Sequence, residues 1–232
     1  EPVFLSIEGS YHGKTLGALS VGDFQYWKRA PFGLKVRSIP RNDVDAARAV
    51  VAGLDRDGFS RAAGLFVEPM QGEGGVHPLD PAFLQALRES ADEHGFPLIF
   101  DEIQSGFFRC GHFAASTAST VPGDYFTFGK SLGGGIAKIS ALMIRRDRYQ
   151  DGFGILNSST FPEDDFSAQA ALSALDLAGA EDIGAQVMNV GAGLRTYLDQ
   201  LAEVHPQAAA ISVETATQVP VPLHPGAARY FE

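Results

Sequence analysis

The chain has 232 residues, of which 45% are hydrophobic, and a formal net charge of −10. The apolar content excludes an intrinsically disordered chain, and the negative charge argues against a nucleic-acid-binding surface. No apolar run reaches the length of a membrane-spanning helix, and the single cysteine, Cys110, is typical of a reducing compartment, so we expect a cytoplasmic protein with no membrane partner.

Six short runs rich in β-branched or aromatic residues are predicted to be strands. In chain order they are Val3–Ile7, Leu34–Ile39, Gly64–Val67, Pro97–Phe100, Tyr125–Phe128 and Ser140–Ile144. Helical patterns lie between several of them, and the clearest runs from Pro81 to His94 with Asp80 as the expected N-cap. Near-continuous apolar strands that alternate with helices predict an α/β fold, in which a mostly parallel sheet carries helices on both faces.

The pattern changes after residue 165. Residues 166–178 are rich in alanine and leucine, and a second segment repeats apolar residues at helical spacing from Ile183 to Leu201. We therefore expect a large-domain core over 1–178, followed by a helical connector and the start of a second domain over 179–232. Because "EPVFLSIEG" begins as a strand already under way and the last segment has no clear period, we expect this fold to be incomplete at both ends.

Polar residues follow three of the predicted strands. These strands lead into "VEPMQGEGG" (67–75), "FDEIQSG" (100–106) and "FGKSLGGG" (128–135). Ligands of open parallel sheets bind beyond the carboxyl ends of the strands. The three segments together therefore predict one shared site.

Lys130, in "FGKSLGGG", invites comparison with a phosphate-binding loop. Such a loop needs glycine five residues before its Gly-Lys-Ser/Thr. The "GKS" at 129–131 has Asp124 at the required position, and the "GKT" at 13–15 has Glu8 there. Neither tripeptide qualifies, and a P-loop nucleotide hydrolase is disfavoured.

A covalent role for Lys130 requires a cofactor that acts as an electron sink. Pyridoxal phosphate is such a cofactor, and it also needs a carboxylate that keeps its ring nitrogen protonated. Asp101 directly follows the apolar run "PLIF" and, being partly desolvated, needs a cationic partner. A strand-end aspartate can equally cap a following helix, and the local residues leave both roles open.

Four segments in the same order resemble a known family. They are "SYHGKT", "VEPMQGEGGV", "FDEIQSGFFRCG" and "FGKSLGGG", and Lys130 follows Asp101 by 29 residues. Over residues 4–178 the chain resembles the class III (ω-amino acid type) pyridoxal-phosphate aminotransferases of the ornithine, acetylornithine and aminobutyrate kind. The resemblance implies the large domain of a fold-type I transferase and favours a covalent Lys130.

The resemblance also implies roles for individual residues. Lys130 would form the aldimine with pyridoxal 5'-phosphate and move the substrate proton, and Asp101 would pair with the ring nitrogen. Gln104 would lie near the ring's phenolic oxygen, and Tyr11 would stack on the ring, although it can also be read as a core aromatic. Thr160 would reach the cofactor phosphate of a neighbouring subunit, which implies a homodimer with shared sites.

A further position concerns the substrate. Glu73 resembles the residue that pairs with a carboxy-terminal arginine and switches between substrates. The implied reaction moves an amino group from a small-molecule amino acid or ω-amine donor to a carbonyl acceptor. An aminomutase or racemase of the same family is an alternative, and so is a non-catalytic scaffold domain derived from such an enzyme. The histidines lack metal-ligand spacing, so no metal is predicted.

The sequence departs from the family pattern after "STF". It continues "PEDDF" where the family usually has Gly-Gly-Asn-Pro. We expect Asp164 and Asp165 to cap the helix that follows, where their charge is favourable. His12 is interpreted as a packing or hydrogen-bonding neighbour of the site, and Glu68 as a structural acceptor near it.

Overall fold

The computed structural model of the chain describes residues 1–23, 34–158 and 164–204. The strands are β1 (Pro2–Ile7), β2 (Val36–Ile39), β3 (Arg61–Val67), β4 (Met70–Gln71), β5 (His77–Pro78), β6 (Leu98–Asp101), β7 (Tyr125–Phe128) and β8 (Ala141–Ile144). The α-helices are α1 (Leu16–Val21), α2 (Val44–Ala52), α3 (Pro81–His94), α4 (Phe153–Leu156), α5 (Asp165–Ala180) and α6 (Ile183–Val204). All six predicted strands and the predicted helix α3 are confirmed.

The main sheet has six strands in the order β2-β1-β3-β6-β7-β8. All neighbours are parallel except β8, which pairs antiparallel with β7. The prediction of a mostly parallel sheet is therefore confirmed. The short strands β4 and β5 form a separate antiparallel pair after the end of β3.

One face of the sheet forms the main core. Val3, Leu5 and Ile7 alternate along β1 and are fully buried, as the two-residue period of a strand requires. They belong to one apolar cluster with residues of α2 and α3, among them Val51 and Leu87. Each fully buried aliphatic side chain contributes roughly 1.5–3 kcal/mol, so this layer fixes the position of the strands.

The opposite face of the sheet is covered near α1. Phe4 of β1 and Phe66 of β3 point to this face, with their ring centroids 5.9 Å apart. A cavity of about 260 Å³ lies between these rings and residues Ala18 and Val21 of α1. Helices therefore lie on both faces of the sheet, as the sequence predicts.

The aspartates predicted to cap two helices all lie at or next to the N-cap position, but only one makes a capping hydrogen bond. Asp164 caps α5, since its Oδ2 accepts a hydrogen bond from the Ser167 N–H at 2.8 Å. Asp165 is the first residue of α5, so the expected capping role is confirmed for Asp164 alone. Asp80 occupies the N-cap position of α3, but its side chain makes no capping hydrogen bond.

By its internal contacts the chain divides into two compact units, Glu1–Ala185 and Gln186–Glu232. The first contains the whole sheet, and the described part of the second is helical. Both predicted helical segments after residue 165 are confirmed as α5 and α6, whereas the division into domains at residue 178 stays a prediction. Among the described residues, no helix is long and apolar enough to cross a membrane.

Candidate active site

Segments that follow four parallel strands meet at the carboxyl edge of the sheet. A cavity of about 230 Å³ opens there, and its lining comprises Tyr11, His12, Gly13, Glu68, Asp101, Ile103, Gln104 and Lys130. The predicted site residues Tyr11, Asp101, Gln104 and Lys130 are thus brought together. Thr160 lies outside the described residues.

Asp101 ends β6 and is 8% exposed. Its Oδ2 lies 2.8 Å from Nδ1 of His12. Its Oδ1 accepts hydrogen bonds from the Ile103 N–H and the Thr127 hydroxyl, both at 3.1 Å. Turns follow Asp101 rather than a helix, so the alternative role as a helix cap is wrong, and the carboxylate is held in place at the cavity wall.

His12 is the side chain in contact with Oδ2 of Asp101. The imidazole is 3% exposed, and its ring centroid lies 5.5 Å from that of Phe66. Its interpretation as a hydrogen-bonding neighbour is confirmed. Its Nε2 is buried and has no hydrogen-bond partner within the described residues, which leaves one polar atom of this pair unsatisfied.

Lys130 directly follows Gly129 beyond the end of β7 and begins a short 3-10 helix, Lys130–Gly133. Its φ is 48°, in the left-handed region that non-glycine residues rarely adopt. Such strain persists where surrounding structure imposes it, and it clusters at functional sites. The Nζ of Lys130 donates a hydrogen bond to Oε1 of Gln104.

The glycines near this site serve two purposes. Gly134 and Gly135 have φ values of 63° and 80°, as a tight turn beside Lys130 requires. Gly72 makes room for Gln104, because a Cβ on Gly72 would lie 2.3 Å from the Gln104 Nε2.

Tyr11 and Glu73 lie on adjoining loops. Burial, together with the negative charge of Glu73, raises the pKa of the Tyr11 phenol. Tyr11 is partly exposed and lines the cavity, so its reading as a core aromatic is wrong. Its N–H donates to Oε1 of Glu68 at 2.7 Å.

Two polar groups were not among the site residues predicted from the sequence. Thr127 is paired with Asp101 in the ladder of β6 and β7, and a hydroxyl in the aromatic run "YFTF" is the signal that would have found it. Glu68 is 5% exposed, and burial raises its pKa to about 7. Among the described residues no cluster of histidine, cysteine or acidic side chains is arranged to hold a metal ion.

The aminotransferase class-III family profile matches residues 2–216 of the chain. The chain belongs to the class-III aminotransferase family. Every residue that lines the cavity lies within the matched region. The fold type and the family resemblance inferred from the sequence are confirmed.

The chain is similar in sequence and in fold to proteins that are named aminotransferases. It is 35% identical over 210 residues to an acetylornithine aminotransferase of Nostoc sp., covering 89% of this chain and 48% of the relative. The ornithine aminotransferase of Toxoplasma gondii superposes with a TM-score of 0.75 at 28% identity, covering 88% of this chain and 46% of that one.

A third structure shows the same fold with a cofactor. An amine transaminase from an uncultivated Pseudomonas species, solved in its PLP-bound form, superposes with a TM-score of 0.72 at 25% identity, covering 88% of this chain and 51% of that one. The chain spans about half the length of the relatives it matches.

Proposed function

We propose that this chain is the cofactor-binding core of a pyridoxal-phosphate-dependent aminotransferase. It would move an amino group from an amino acid or ω-amine donor to a carbonyl acceptor. The observation that carries the proposal is the placement of Lys130, Gln104 and Asp101 around one cavity, with His12 in contact with Asp101. A primary amine that can form a Schiff base and a carboxylate for the ring nitrogen are the groups this chemistry needs.

The residues fit pyridoxal phosphate by their chemistry. Asp101 is a carboxylate at the cavity wall whose oxygens are already oriented by His12, Thr127 and a backbone N–H. Such a group suits a protonated pyridine nitrogen, whose charge it would balance. Tyr11 offers an aromatic face, and the Lys130 amine reaches the same cavity.

When bound, the cofactor supplies an electron sink for negative charge that develops at a substrate carbon. Lys130 would attach to it covalently and then, as a free amine, hold and move the substrate proton at Nζ. Asp101 would keep the proton on the ring nitrogen, and His12 would fix the orientation of Asp101 through Nδ1. Gln104 would orient groups near the ring's oxygen. Glu73, whose charge reaches Tyr11, would select among substrates.

We further propose a homodimer in the cytoplasm. By the family resemblance, Thr160 would reach the phosphate of the neighbouring subunit's cofactor, and each site would then be completed by two chains. We also propose that residues 1–178 form a cofactor-binding domain and that residues 179–232 form a helical connector and the start of a second domain.

The test is a visible absorption spectrum of the full-length protein and of Lys130→Ala, each with added pyridoxal phosphate. The wild type is expected to become yellow and to lose that band when an amino donor is added without acceptor. A yellow wild type whose band persists with every amino donor, so that no half-reaction occurs, would favour an aminomutase or racemase. A wild-type protein that takes up no cofactor would contradict the enzyme proposal and favour the non-catalytic scaffold domain.

A further inference from the structure

Gln71 is a buried polar side chain to which the proposed reaction gives no role. It is the last residue of β4 and is fully buried. A glutamine amide has both a hydrogen-bond acceptor and donors, and burying it is costly unless these groups find partners. The partners of Gln71 therefore indicate what it contributes.

The Gln71 amide is hydrogen-bonded to segments that follow two neighbouring strands. Its Nε2 donates to the carbonyl oxygen of Glu8, directly after β1, at 2.9 Å. Its Oε1 accepts from Nη1 of Arg41, after β2, at 2.8 Å. The second bond belongs to the stronger, charge-assisted class, because the guanidinium donor is ionised. One side chain thus joins the segment after β4 to the ends of β1 and β2.

Two glycines allow the joined segments to come into contact around this amide. Gly9 has a φ of 77°, and a Cβ on it would lie 3.4 Å from Oε1 of Gln71. A Cβ on Gly74 would lie 2.6 Å from the Gly9 carbonyl oxygen and 3.3 Å from the same Oε1. The backbones at Gly9 and Gly74 therefore meet beside the Gln71 amide, at a separation that only glycine at position 74 permits.

The two segments that meet here carry residues of the proposed site. Residues 8–11, the Tyr11 segment, end at Tyr11, which lines the cavity. Residues 72–75, the Glu73 turn, contain Glu73 next to the contact at Gly74. Because Gln71 is fully buried, it cannot contact a ligand itself. It can act on a ligand only through the segments that it holds.

We propose that Gln71 is a positioning residue, which links the Glu73 turn to the Tyr11 segment and, through Arg41, to the end of β2. That Glu73 meets a substrate rests on the proposed function. The link itself depends only on residues of this chain, and it can be tested without cofactor.

Three variants separate the link from a general loss of stability. Gln71→Met keeps an unbranched side chain and removes both hydrogen bonds, whereas Arg41→Met removes only the bond to Oε1. Asp124→Asn is the control. Asp124 is also fully buried and hydrogen-bonded, to Arg88 at 2.8 Å, but it directly precedes β7 at the amino ends of the parallel strands. Its replacement therefore weakens the fold without touching the two segments.

Backbone amides within or next to the two segments report on the link. In the Tyr11 segment, the Ser10 N–H donates to the Ile7 carbonyl oxygen at 3.1 Å. In the Glu73 turn and directly after it, the N–H groups of Gly75 and Val76 both donate to the Gly72 carbonyl oxygen at 3.2 Å. Amides that are held in this way exchange with solvent only when the segment opens. Their exchange rates therefore measure how firmly each segment is held.

The first experiment is hydrogen exchange with peptide mass spectrometry on the full-length protein without cofactor. In Gln71→Met the peptides that cover residues 8–12 and 72–76 should both exchange at least about tenfold faster, the effect of losing one hydrogen bond to a charged group. Arg41→Met leaves the bond to Glu8 in place and should accelerate both by less. Asp124→Asn should leave both unchanged.

Two results would overturn the link. One is unchanged exchange of both peptides in Gln71→Met, and the other is an equal acceleration in Asp124→Asn. If Gln71→Met does not fold, Arg41→Met answers the same question, because Arg41 is only half-buried. Acceleration of both peptides in that variant would support the link, and no acceleration would overturn it.

Steady-state kinetics of the full-length protein test the positioning of Glu73. The probe is the amino donor that most strongly removes the yellow band of the wild type. Its KM should rise about tenfold more in Gln71→Met than in Asp124→Asn, with kcat changed less than about twofold, because a lost contact to the bound substrate raises KM. A general loss of folded enzyme would instead lower kcat at constant KM.

Equal KM values in Gln71→Met and Asp124→Asn would overturn the positioning role. A wild type whose band responds to no amino donor would contradict the proposed transamination instead. Hydrogen exchange of the two peptides would then still judge the link between the segments.

Discussion

His12 Nδ1 lies 2.8 Å from Asp101 Oδ2 across the carboxyl end of β3. His12 comes from the segment after β1 and Asp101 from the end of β6, and β3 lies between these strands in the sheet. The pair therefore joins residues 89 apart in sequence and fixes the wall of the cavity. It is the contact on which the proposed cofactor site most depends.

Replacement of His12 by phenylalanine keeps an aromatic ring beside Phe66 and removes the hydrogen bond to Asp101. A hydrogen bond to a charged group contributes roughly 1.5–3 kcal/mol, so the free energy of unfolding should fall by about that amount. Urea denaturation measures it. His112→Phe, at an exposed histidine, should change it by less than about 0.5 kcal/mol. Equal losses in the two variants would contradict the structural role of the pair.

Asp124 anchors the sheet away from the site. It is fully buried, and its carboxylate binds Arg88 at 2.8 Å, Arg145 at 2.8 Å and the Leu98 N–H at 2.9 Å. Asp124→Ala leaves these arginines without their buried partner, so the free energy of unfolding should fall by about 3–5 kcal/mol. Asp147→Ala removes an exposed partner of Arg145 and should have little effect in the same denaturation experiment.

The pH dependence of this contribution follows from the pKa of Asp124. Burial opposes ionisation, but the hydrogen bonds from Arg88 and Leu98 outweigh it and lower the pKa. A lowered pKa means that the stabilisation is present above the unfolded-state pKa and is lost as the pH falls through the folded-state value. Wild type and Asp124→Ala should therefore converge in stability in strong acid, and a constant difference would contradict this.

The pKa of Glu68 is shifted in the opposite direction to that of Asp124. Burial raises its pKa from 4.5 to about 7, so the folded state binds its proton more tightly than the unfolded state. This contribution to stability is complete below the unfolded-state pKa and is lost as the pH rises through about 7, by roughly 3 kcal/mol. Glu68→Gln should remove the loss, so the stability difference between variant and wild type should change between pH 4.5 and 8. A pH-independent difference would contradict it.

Gly72→Ala tests the space that Gln104 occupies. The added Cβ would lie 2.3 Å from Nε2 and 2.6 Å from Cδ of Gln104, so the amide must move and its contact with Lys130 must change. Cofactor binding should weaken by about tenfold, the equivalent of one displaced hydrogen bond to a charged group. Gly17→Ala, with no atom within 4 Å of its added Cβ, is the control, and equal cofactor affinity in both would contradict the prediction.

The sequence predicted those features that depend on short-range pattern. Apolar runs located all six strands of the sheet, and the strand-end segments containing Asp101 and Lys130 were correctly expected to meet. These predictions succeed because strand period and the parallel order of the strands bring carboxyl ends to one edge.

Features that depend on side-chain geometry were not predictable in the same way. The sequence indicated that His12 is a neighbour of the site but not that it pairs with Asp101, because the contact joins residues far apart in the chain. Nor did it indicate that Glu68 accepts a hydrogen bond from the Tyr11 N–H, since that depends on where this amide points. The positive φ of Lys130 likewise follows from the turn around it rather than from its residue type.

The most direct test of the proposed function is chemical trapping at Lys130. The full-length protein would be loaded with pyridoxal phosphate, reduced with borohydride, digested and analysed by peptide mass spectrometry. We expect the reduced cofactor on the peptide that contains Lys130, and none on that peptide in Lys130→Ala. Attachment mainly at other lysines, such as Lys14 or Lys138, or no attachment at all, would contradict the proposal that Lys130 is the covalent catalyst.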